Sequence, residues 1–326
     1  MFFALIDGIL RDRRDIPLLR LIIVLLLVQV PAAVVLFLVP SIPWWGAALY
    51  LVVTLAGFLP PFTLMLHNVS HRSVFRPRFK FLMPVIHWVV GPLFGQSPGT
   101  YAAHHIGMHH IEGNLAADLS STLRFQRDSL WDFGRYLGRF LSVGLGELLF
   151  YFRARGRSRL FYRTLVGELS FFAAMGFLVW LNPVAGLVVI VIPWIVSRSA
   201  MMAGNWGQHA FIDTAQPDNI YRNSITCIET GYNDRCFNDG YHIGHHLEPT
   251  LHWSEMRTSF ERDRPKYAAE GALVFRGVDY FAIWVLLMAK RYDVLARRVV
   301  QLGPEPVPLA EVEAMLRLRT RAAVAA

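Results

Sequence analysis

The sequence predicts an all-α integral membrane protein. Four transmembrane helices would form two hairpins, and a cytoplasmic helical cap would hold a di-metal histidine site. Hydrophobic residues make up 54% of the 326-residue chain, which exceeds the usual share in soluble domains. Four runs with no charge, or with one charge near an end, are each long enough to cross a bilayer. Histidines are concentrated in three short boxes beside or after apolar runs. We expect a single domain over residues 1–326.

The predicted spans follow from the length of the apolar runs, because about 20 helical residues cross the ~30 Å hydrocarbon core. They cover residues 19–39, 43–66, 165–181 and 184–203. The turn from Pro40 to Pro43 joins the first two spans, and Asn182-Pro183 joins the last two, so each pair is predicted to be a hairpin. The Pro60-Pro61 pair predicts a kink near the end of the second span.

Basic residues predict the orientation of these spans. The two turns contain no Lys or Arg, whereas the leader and the segments 67–164 and 204–326 contain all of them except Arg20 and Arg198. By the positive-inside rule, both termini and both large segments are cytoplasmic. The bias of Arg over Lys is compatible with a GC-rich bacterial genome, so we expect the bacterial inner membrane. All twelve histidines lie in the two cytoplasmic segments.

The net charge of +8 predicts contact with anionic lipids rather than with nucleic acid, because the basic residues flank the spans. The stretch from Arg153 to Arg159 is the clearest example, and we interpret it as a topology determinant that contacts lipid phosphates. The two cysteines, Cys227 and Cys236, lie in a segment assigned to the reducing side. We therefore expect neither a disulfide nor a thiolate metal site.

The three boxes are His67-Asn-Val-Ser-His71, His105-Ile-Gly-Met-His109-His110 and His242-Ile-Gly-His245-His246. Residues three and four apart share one face of a helix, so the rings of each box point to one place. Neutral imidazole suits iron, zinc, copper and nickel, whereas magnesium and calcium prefer oxygen ligands. The boxes therefore predict a transition-metal site close to the ends of the spans.

The sequence Asn205-Trp-Gly-Gln-His209 adds two possible ligands four residues apart. The candidate histidine ligands are then His67, His71, His105, His109, His110, His209, His242, His245 and His246. Nine imidazoles are too many for one ion and suit two ions, each with four or five nitrogen ligands.

The other histidines are assigned by their spacing. His104 is the alternative to His105, which we favour because the four-residue step to His109 fits a helix face. His87 has no partner at ligand spacing and is interpreted as a core residue. His252 is expected to support a ligand through a hydrogen bond. Five carboxylates could accept the second N–H of a metal-bound imidazole: Glu112, Asp118, Asp213, Asp239 and Glu248.

The three boxes have the forms HxxxH, HxxxHH and HxxHH, and Asn205-xxx-His209 precedes the third. This pattern, in this order, resembles the membrane fatty acid desaturase family. The resemblance runs from about His67 to Trp253. It implies two iron ions held by the nine histidines, with Asn205 contacting an iron directly or through water. It also implies that O2 is activated, hydrogen is abstracted from an unactivated alkyl carbon, and a cis double bond forms.

This resemblance further implies a fatty acyl or other lipid substrate and no catalytic residue beyond the metal centre. The sequence shows no haem-binding or Rossmann-type segment, so electrons would come from a separate ferredoxin, cytochrome or reductase. Leu247-Glu248-Pro249 departs from the Leu-Phe-Pro of many acyl-lipid desaturases, which leaves the substrate open.

Two other functions fit the same histidines. Hydroxylases and ketolases that act on sterols, sphingoid bases, alkanes or carotenoids use this chemistry, and fold-level analogy does not separate them from desaturases. A metal transporter is disfavoured, because its spans would need polar or ionisable residues to form a path. Acyl desaturation is the preferred prediction.

Overall fold

Long apolar helices dominate the computed structural model, which describes residues 8–323. Among these residues, four helices are long and apolar enough to cross a membrane. They are Arg13–Leu38, Trp44–His71, Ser158–Leu181 and Pro183–Gln208, called here the first to fourth long helices. The predicted mostly helical fold, with four candidate membrane-spanning helices and clustered histidines, is confirmed. The pairing into membrane hairpins and the cytoplasmic cap remain predictions. The ends of the predicted domain (1–326) and of the second cytoplasmic segment (204–326) lie outside the described residues.

The long helices extend beyond the apolar runs that predicted them. The second continues through its polar end to His71, where Asn68 Nδ2 and Ser70 Oγ each donate to a backbone carbonyl one turn earlier. The fourth continues to Gln208 and therefore includes Asn205. Hydropathy marks only the apolar part of a helix, whereas backbone hydrogen bonds continue through polar residues. The first box therefore lies in the last turns of a span-bearing helix rather than after it.

Prolines do not end these helices. The second long helix passes through Pro60 and Pro61, where a kink was predicted, and a π-helical segment, Val53–Phe58, directly precedes them. The π-helical segments Leu25–Gln29 and Leu187–Val191 likewise precede Pro31 and Pro193. Proline removes one N–H donor and crowds the preceding turn. The wider π turn accommodates both effects without breaking the helix.

Two compact units make up the chain, each built from two segments. The first unit contains the residues up to Gly107 together with Leu149–Ser199, and the second contains Met108–Leu148 and the residues from Ala200 onward. The expectation of one domain stays a prediction.

The first unit holds three complete long helices and most of the fourth. It also holds the shorter segments Pro77–Leu82, Val85–Val90 and Gly91–Leu93 and the start of the second-box helix, Thr100–His104. One core cluster joins the first, second and fourth long helices through the buried residues Ala33, Leu36, Tyr50, Ala185, Val188 and Val189. This cluster lies toward the start of the second long helix, at the end opposite to His67 and His71.

A buried loop, residues 94–99, leads into the second box. A Cβ at Gly167 of the third long helix would collide with the carbonyl of Pro98, so only glycine permits this approach. Arg198 Nη2 lies 3.0 Å from Glu168 Oε1 and donates to Ser97 Oγ over 2.8 Å. The two charges within the last two predicted spans therefore pair with each other and hold this loop in place.

The second unit is formed by shorter elements. Its helices are Leu130–Ser142, the beginning of Gly144–Ala154, Ile220–Asn223, Gly231–Arg235, His242–Leu247, Met256–Ala269, Tyr280–Met288, Tyr292–Arg298 and Leu309–Arg319. Strands β1 (Ile225–Ile228) and β2 (Leu273–Arg276) pair in parallel, with Ile225 opposite Leu273. This sheet was not predicted, because a short apolar run has no periodicity that separates a strand from a helix.

The side chain of Arg127 links several backbone segments of the second unit by hydrogen bonds. It is fully buried and donates to six backbone carbonyls, those of Thr122, Leu123, Phe125, Ala210, Arg319 and Arg321. Burial lowers the pKa of Arg127 to about 10, so the guanidinium is charged at neutral pH. It connects the end of helix Leu309–Arg319 to the chain that follows His209.

Candidate metal centre

Four histidines of the second unit bring their ring nitrogens to one place. His109, His209, His242 and His246 each offer one nitrogen, and these nitrogens all lie within 4.8 Å of one another. His109 comes from the second box, His209 directly follows the fourth long helix, and the other two lie four residues apart on helix His242–Leu247. We call this group the histidine tetrad. The four-residue spacing that places His242 and His246 on one helix face was visible in the sequence.

Asp118 fixes the ring of His109. His109 Nδ1 lies 2.7 Å from Asp118 Oδ2, and a carboxylate oxygen only accepts, so Nδ1 carries the proton. The backbone N–H groups of Asn114 and Ser120 hold the carboxylate, together with the Ser120 hydroxyl. This hydrogen bond leaves Nε2 with its lone pair free to bind a metal, the usual arrangement of a metal-ligating histidine. Asp118 was one of the predicted supporting carboxylates.

Asn223 fixes the ring of His209 in the same way. His209 Nδ1 lies 2.9 Å from the Asn223 backbone oxygen and 3.0 Å from Asn223 Oδ1. The ring is completely buried, and its Nε2 has no hydrogen-bond partner among residues 8–323. A buried nitrogen with an unused lone pair needs an explanation, and a metal ion provides one. Sequence reasoning missed Asn223, which follows no spacing pattern relative to the boxes.

Burial keeps two rings of the tetrad in the neutral form that binds a metal. It lowers the pKa of His209 to about 4, and it lowers the pKa of His246 well below the ordinary value, with neighbouring histidines adding to both effects. These rings are therefore neutral at pH 7, as metal coordination requires. His242 Nε2 and His246 Nε2 are 3.0 Å apart. Two nitrogens at ~2.1 Å from one ion and at right angles around it have about this separation. The tetrad fits a transition-metal ion.

The remaining box histidines form two further groups of ring contacts. In the first unit, His67, His71 and His105 pack ring to ring, and His105 Nε2 lies 3.0 Å from His71 Nε2. In the second unit, His110 Nε2 lies 2.9 Å from His245 Nε2. Each of the nine candidate histidines thus has another candidate as a close neighbour.

Asn205 is oriented by two hydrogen bonds. Its Nδ2 donates to the Ser120 carbonyl over 2.9 Å and to the Tyr136 hydroxyl over 2.7 Å. A carbonyl oxygen only accepts, so nitrogen must face it and Oδ1 points elsewhere. Ser120 also bonds Asp118, so one turn supports both His109 and Asn205. Tyr136 and Ser120 were missed from the sequence. The role of Asn205 as a ligand remains a prediction.

Other histidines lie outside these groups. His104 belongs to none of them, whereas its neighbour His105 does. His87 is half-buried, and burial together with the charge of Arg163 lowers its pKa to about 4. His252 Nδ1 accepts the backbone N–H of Ser254 and caps the short helix Trp253–Glu255. Its predicted supporting role stays a prediction.

Three of the other four carboxylates make contacts of their own, and their predicted support of a histidine stays a prediction. Asp213 pairs with Arg222 and Arg319. Glu248 is more than half exposed and lies near Arg262. Asp239 accepts a hydrogen bond from the Tyr232 hydroxyl over 2.7 Å. These contacts depend on the tertiary fold, which the spacing of carboxylates relative to the boxes does not reveal.

Both cysteines are buried and unbridged. Burial raises the pKa of the Cys227 thiol, and it raises the pKa of the Cys236 thiol to about 12. Both side chains are therefore protonated at neutral pH. A thiolate is the form that binds metals, so their chemistry agrees with a structural role.

Comparison with known families gives one match. The model of the family described as fatty acid desaturase matches residues 42–277, which is more than half of the chain and contains all nine candidate histidines. No curated protein and no solved structure matches the chain.

Proposed function

The chain belongs to the fatty acid desaturase family, and on this premise we propose that it uses O2 and two iron ions to introduce a double bond into a lipid alkyl chain. Family membership makes it a lipid-modifying histidine-box enzyme of the desaturase and hydroxylase type. The observation that supports the metal proposal is the histidine tetrad with the unpartnered, buried Nε2 of His209.

The proposed ligands divide by donor count. The tetrad offers four nitrogens to one ion. The other five box histidines are proposed as iron ligands because the family resemblance implies it: His67, His71, His105, His110 and His245. Asn205 is proposed to present Oδ1 to an iron directly or through water, because Ser120 and Tyr136 hold its nitrogen. An all-imidazole set suits iron but also other transition metals, so the choice of iron rests on the family.

When bound, the iron ions would supply O2 activation and hydrogen abstraction from an unactivated carbon. The residues of the chain have a different task, which is to orient the donors and exclude water. Asp118 and Asn223 keep the protons of His109 and His209 on Nδ1, so that both Nε2 atoms face the tetrad. His109, His209 and His242 are each less than one-tenth exposed, which protects the site from bulk solvent.

Reducing equivalents are proposed to come from a separate protein. Removing two hydrogens from an alkyl chain while reducing O2 to water requires two further electrons, which these side chains do not supply. We propose an acidic ferredoxin, cytochrome or reductase that docks on the basic cytoplasmic face. Turnover with such a donor should fall as salt rises from low to moderate ionic strength. A rate that does not change with salt would contradict electrostatic docking.

The proposed location is the bacterial inner membrane, with both termini and the histidine site on the cytoplasmic side. The four long apolar helices support a membrane location. The distribution of Lys and Arg supports the orientation. The substrate would then be a fatty acyl chain or another lipid that is already in the bilayer.

The reaction is tested by lipid analysis after expression in a host of known composition. Total fatty acids are compared by mass spectrometry between the wild type and His245→Ala, which lacks one proposed ligand. We expect a new unsaturated acyl chain that is absent from the variant, and its fragmentation gives the bond position.

An unchanged acyl profile in a host that makes iron-loaded protein would contradict acyl desaturation. Lipids other than acyl chains that gain one oxygen in the wild type, and not in His245→Ala, would instead identify a hydroxylase or ketolase. Matched protein levels and membrane insertion of the two proteins are the required control.

A further inference from the structure

A cavity lined by arginines lies in the second unit and is not used by the proposed reaction. Its volume is about 370 Å³. The charged lining consists of four arginines, Arg264, Arg276, Arg297 and Arg298, and no carboxylate lines it. Gln301 adds a neutral polar side chain. We call this site the arginine cavity.

The backbone around the cavity is held by strand pairing. Arg276 is the last residue of β2, and Phe275 beside it forms an antiparallel bridge with Val299. The N–H of Val300 donates to the carbonyl of Val274 over 2.8 Å. This pairing brings the end of β2 next to the end of helix Tyr292–Arg298, so Arg276 meets Arg297 and Arg298 through the fold.

A glycine makes room for one of the guanidinium groups. Gly277 has φ +70°, and a Cβ at this position would lie 3.1 Å from Arg298 Nη1. The backbone N–H of Gly277 donates to the Ile228 carbonyl of β1, which fixes the turn. Arg298 Nη1 therefore lies against a backbone surface that carries no side chain, and the Arg298 side chain also lines the cavity.

Neighbouring carboxylates neutralise the cavity only in part. Arg276 pairs with Glu229, Arg297 with Asp293, and Arg264 lies 3.8 Å from Glu261. Each of these pairs is solvent-exposed, and exposed ion pairs contribute little to stability. Arg298 forms no ion pair within residues 8–323. An anion with several oxygens could therefore bind all four guanidinium groups with only a small loss of free energy from the broken ion pairs.

We propose that the arginine cavity binds a phosphate-bearing group. The planar guanidinium group of arginine can donate two parallel hydrogen bonds to a pair of phosphate oxygens. A small cavity suits a compact anion better than it suits the flat surface of a protein partner. The volume is in the range of small-molecule sites. The ligand would be a phosphate monoester, carried either by a lipid headgroup or by a soluble molecule. This inference does not depend on the proposed desaturation.

The test is calorimetric titration of inorganic phosphate into the metal-loaded protein at constant ionic strength. The cavity variant is R276Q/R298Q, and the matched control is R262Q/R317Q, which removes two exposed arginines that do not line the cavity. We expect saturable binding to the wild type and the control. Loss of two charged hydrogen-bond partners should weaken phosphate binding in the cavity variant by about tenfold or more.

Two results would overturn the proposal. One is the absence of saturable phosphate binding to the wild type. The other is equal weakening in both double variants, which would indicate diffuse surface charge. Because the four substitutions are at exposed positions, all proteins should remain folded, and circular dichroism confirms this before titration.

The source of the phosphate is identified in lipid nanodiscs of phosphatidylcholine that contain a photo-crosslinkable phosphatidic acid. Labelling of peptides from the arginine cavity that inorganic phosphate competes away would support the proposal and identify a lipid headgroup. Saturable phosphate binding without such labelling would also support it and identify a soluble phosphate ester.

Discussion

Individual histidines acquire their metal-binding form from partners outside the boxes. The four-residue spacing predicted that His242 and His246 share a helix face, because that relation is local. The acceptors that fix two other rings, Asp118 and Asn223, come from a turn and from a short helix before β1. Only the tertiary fold brings them to the rings. The sequence therefore predicted the candidate donors better than the groups that orient them.

We expect Asp118→Asn to weaken iron binding without unfolding the protein. The substitution keeps the shape of the side chain but removes the charge that orients His109 Nδ1–H. Loss of such a supporting group typically lowers metal affinity by about 10- to 100-fold. Iron retention during titration with a chelator measures this effect.

The matched control is Asp263→Asn, which alters a partly exposed carboxylate paired with Arg262. Its iron retention should equal that of the wild type. If Asp118→Asn retained iron as the wild type does, Asp118 would have no role in orienting His109.

At the scale of elements, apolar runs predicted where the long helices lie, but they did not predict where the helices end. The helices continue into polar residues, and they pass through prolines after π-helical segments. Strands β1 and β2 were missed because four residues carry no usable periodicity. Their pairing depends on contacts across 48 positions of the chain, from Ile225 to Leu273.

The ion pair between the third and fourth long helices should stabilise the first unit. Glu168→Gln leaves the partly buried Arg198 without its counter-charge, and breaking a buried pair in this way costs up to about 3–5 kcal/mol. We expect a clear drop in the thermal unfolding temperature of the detergent-solubilised protein.

A double variant, Glu168→Leu with Arg198→Met, separates charge pairing from packing. Apolar replacement of both partners is often neutral, so most of the lost stability should return. A double variant that is as unstable as Glu168→Gln would argue against charge pairing as the cause.

Arg127 should be essential for joining helix Leu309–Arg319 to the chain near His209. Arg127→Met removes the donor of six carbonyl bonds and leaves buried acceptors unsatisfied. We expect a loss of at least ~3 kcal/mol, because each bond to a charged group contributes ~1.5–3 kcal/mol.

Chemical unfolding of the purified protein measures this effect, with limited proteolysis at the tail helix as a second readout. Arg127→Lys keeps the charge with fewer donors and should be intermediate in stability. Arg262→Met, which changes an exposed arginine, should behave as the wild type does. Equal stability of the Arg127 and Arg262 variants to methionine would contradict the role of Arg127.

For the whole molecule, the basic residues predict that the turn between the first two long helices faces away from the cytoplasm. Ser41 is exposed in this turn, and Thr214 is exposed in the segment predicted to be cytoplasmic. A membrane-impermeant thiol reagent should label Ser41→Cys on intact spheroplasts. It should label Thr214→Cys only after lysis.

The native cysteines should give little background in this experiment, because both are buried and protonated at neutral pH. Labelling of Thr214→Cys in intact spheroplasts would contradict the predicted orientation. Composition and charge placement can predict sidedness because the membrane selects for both. They do not predict the contacts inside either unit, which depend on side chains far apart in sequence.

We propose the buried histidine tetrad as one of two iron sites, and the iron content of the purified protein tests this proposal most directly. We expect about two irons per wild-type chain, as the nine imidazole donors suggest. His246→Ala and His109→Ala should each lose iron and all turnover, whereas His87→Ala should keep both. Wild-type protein without stoichiometric iron, or equal iron content in all three variants, would contradict the claim.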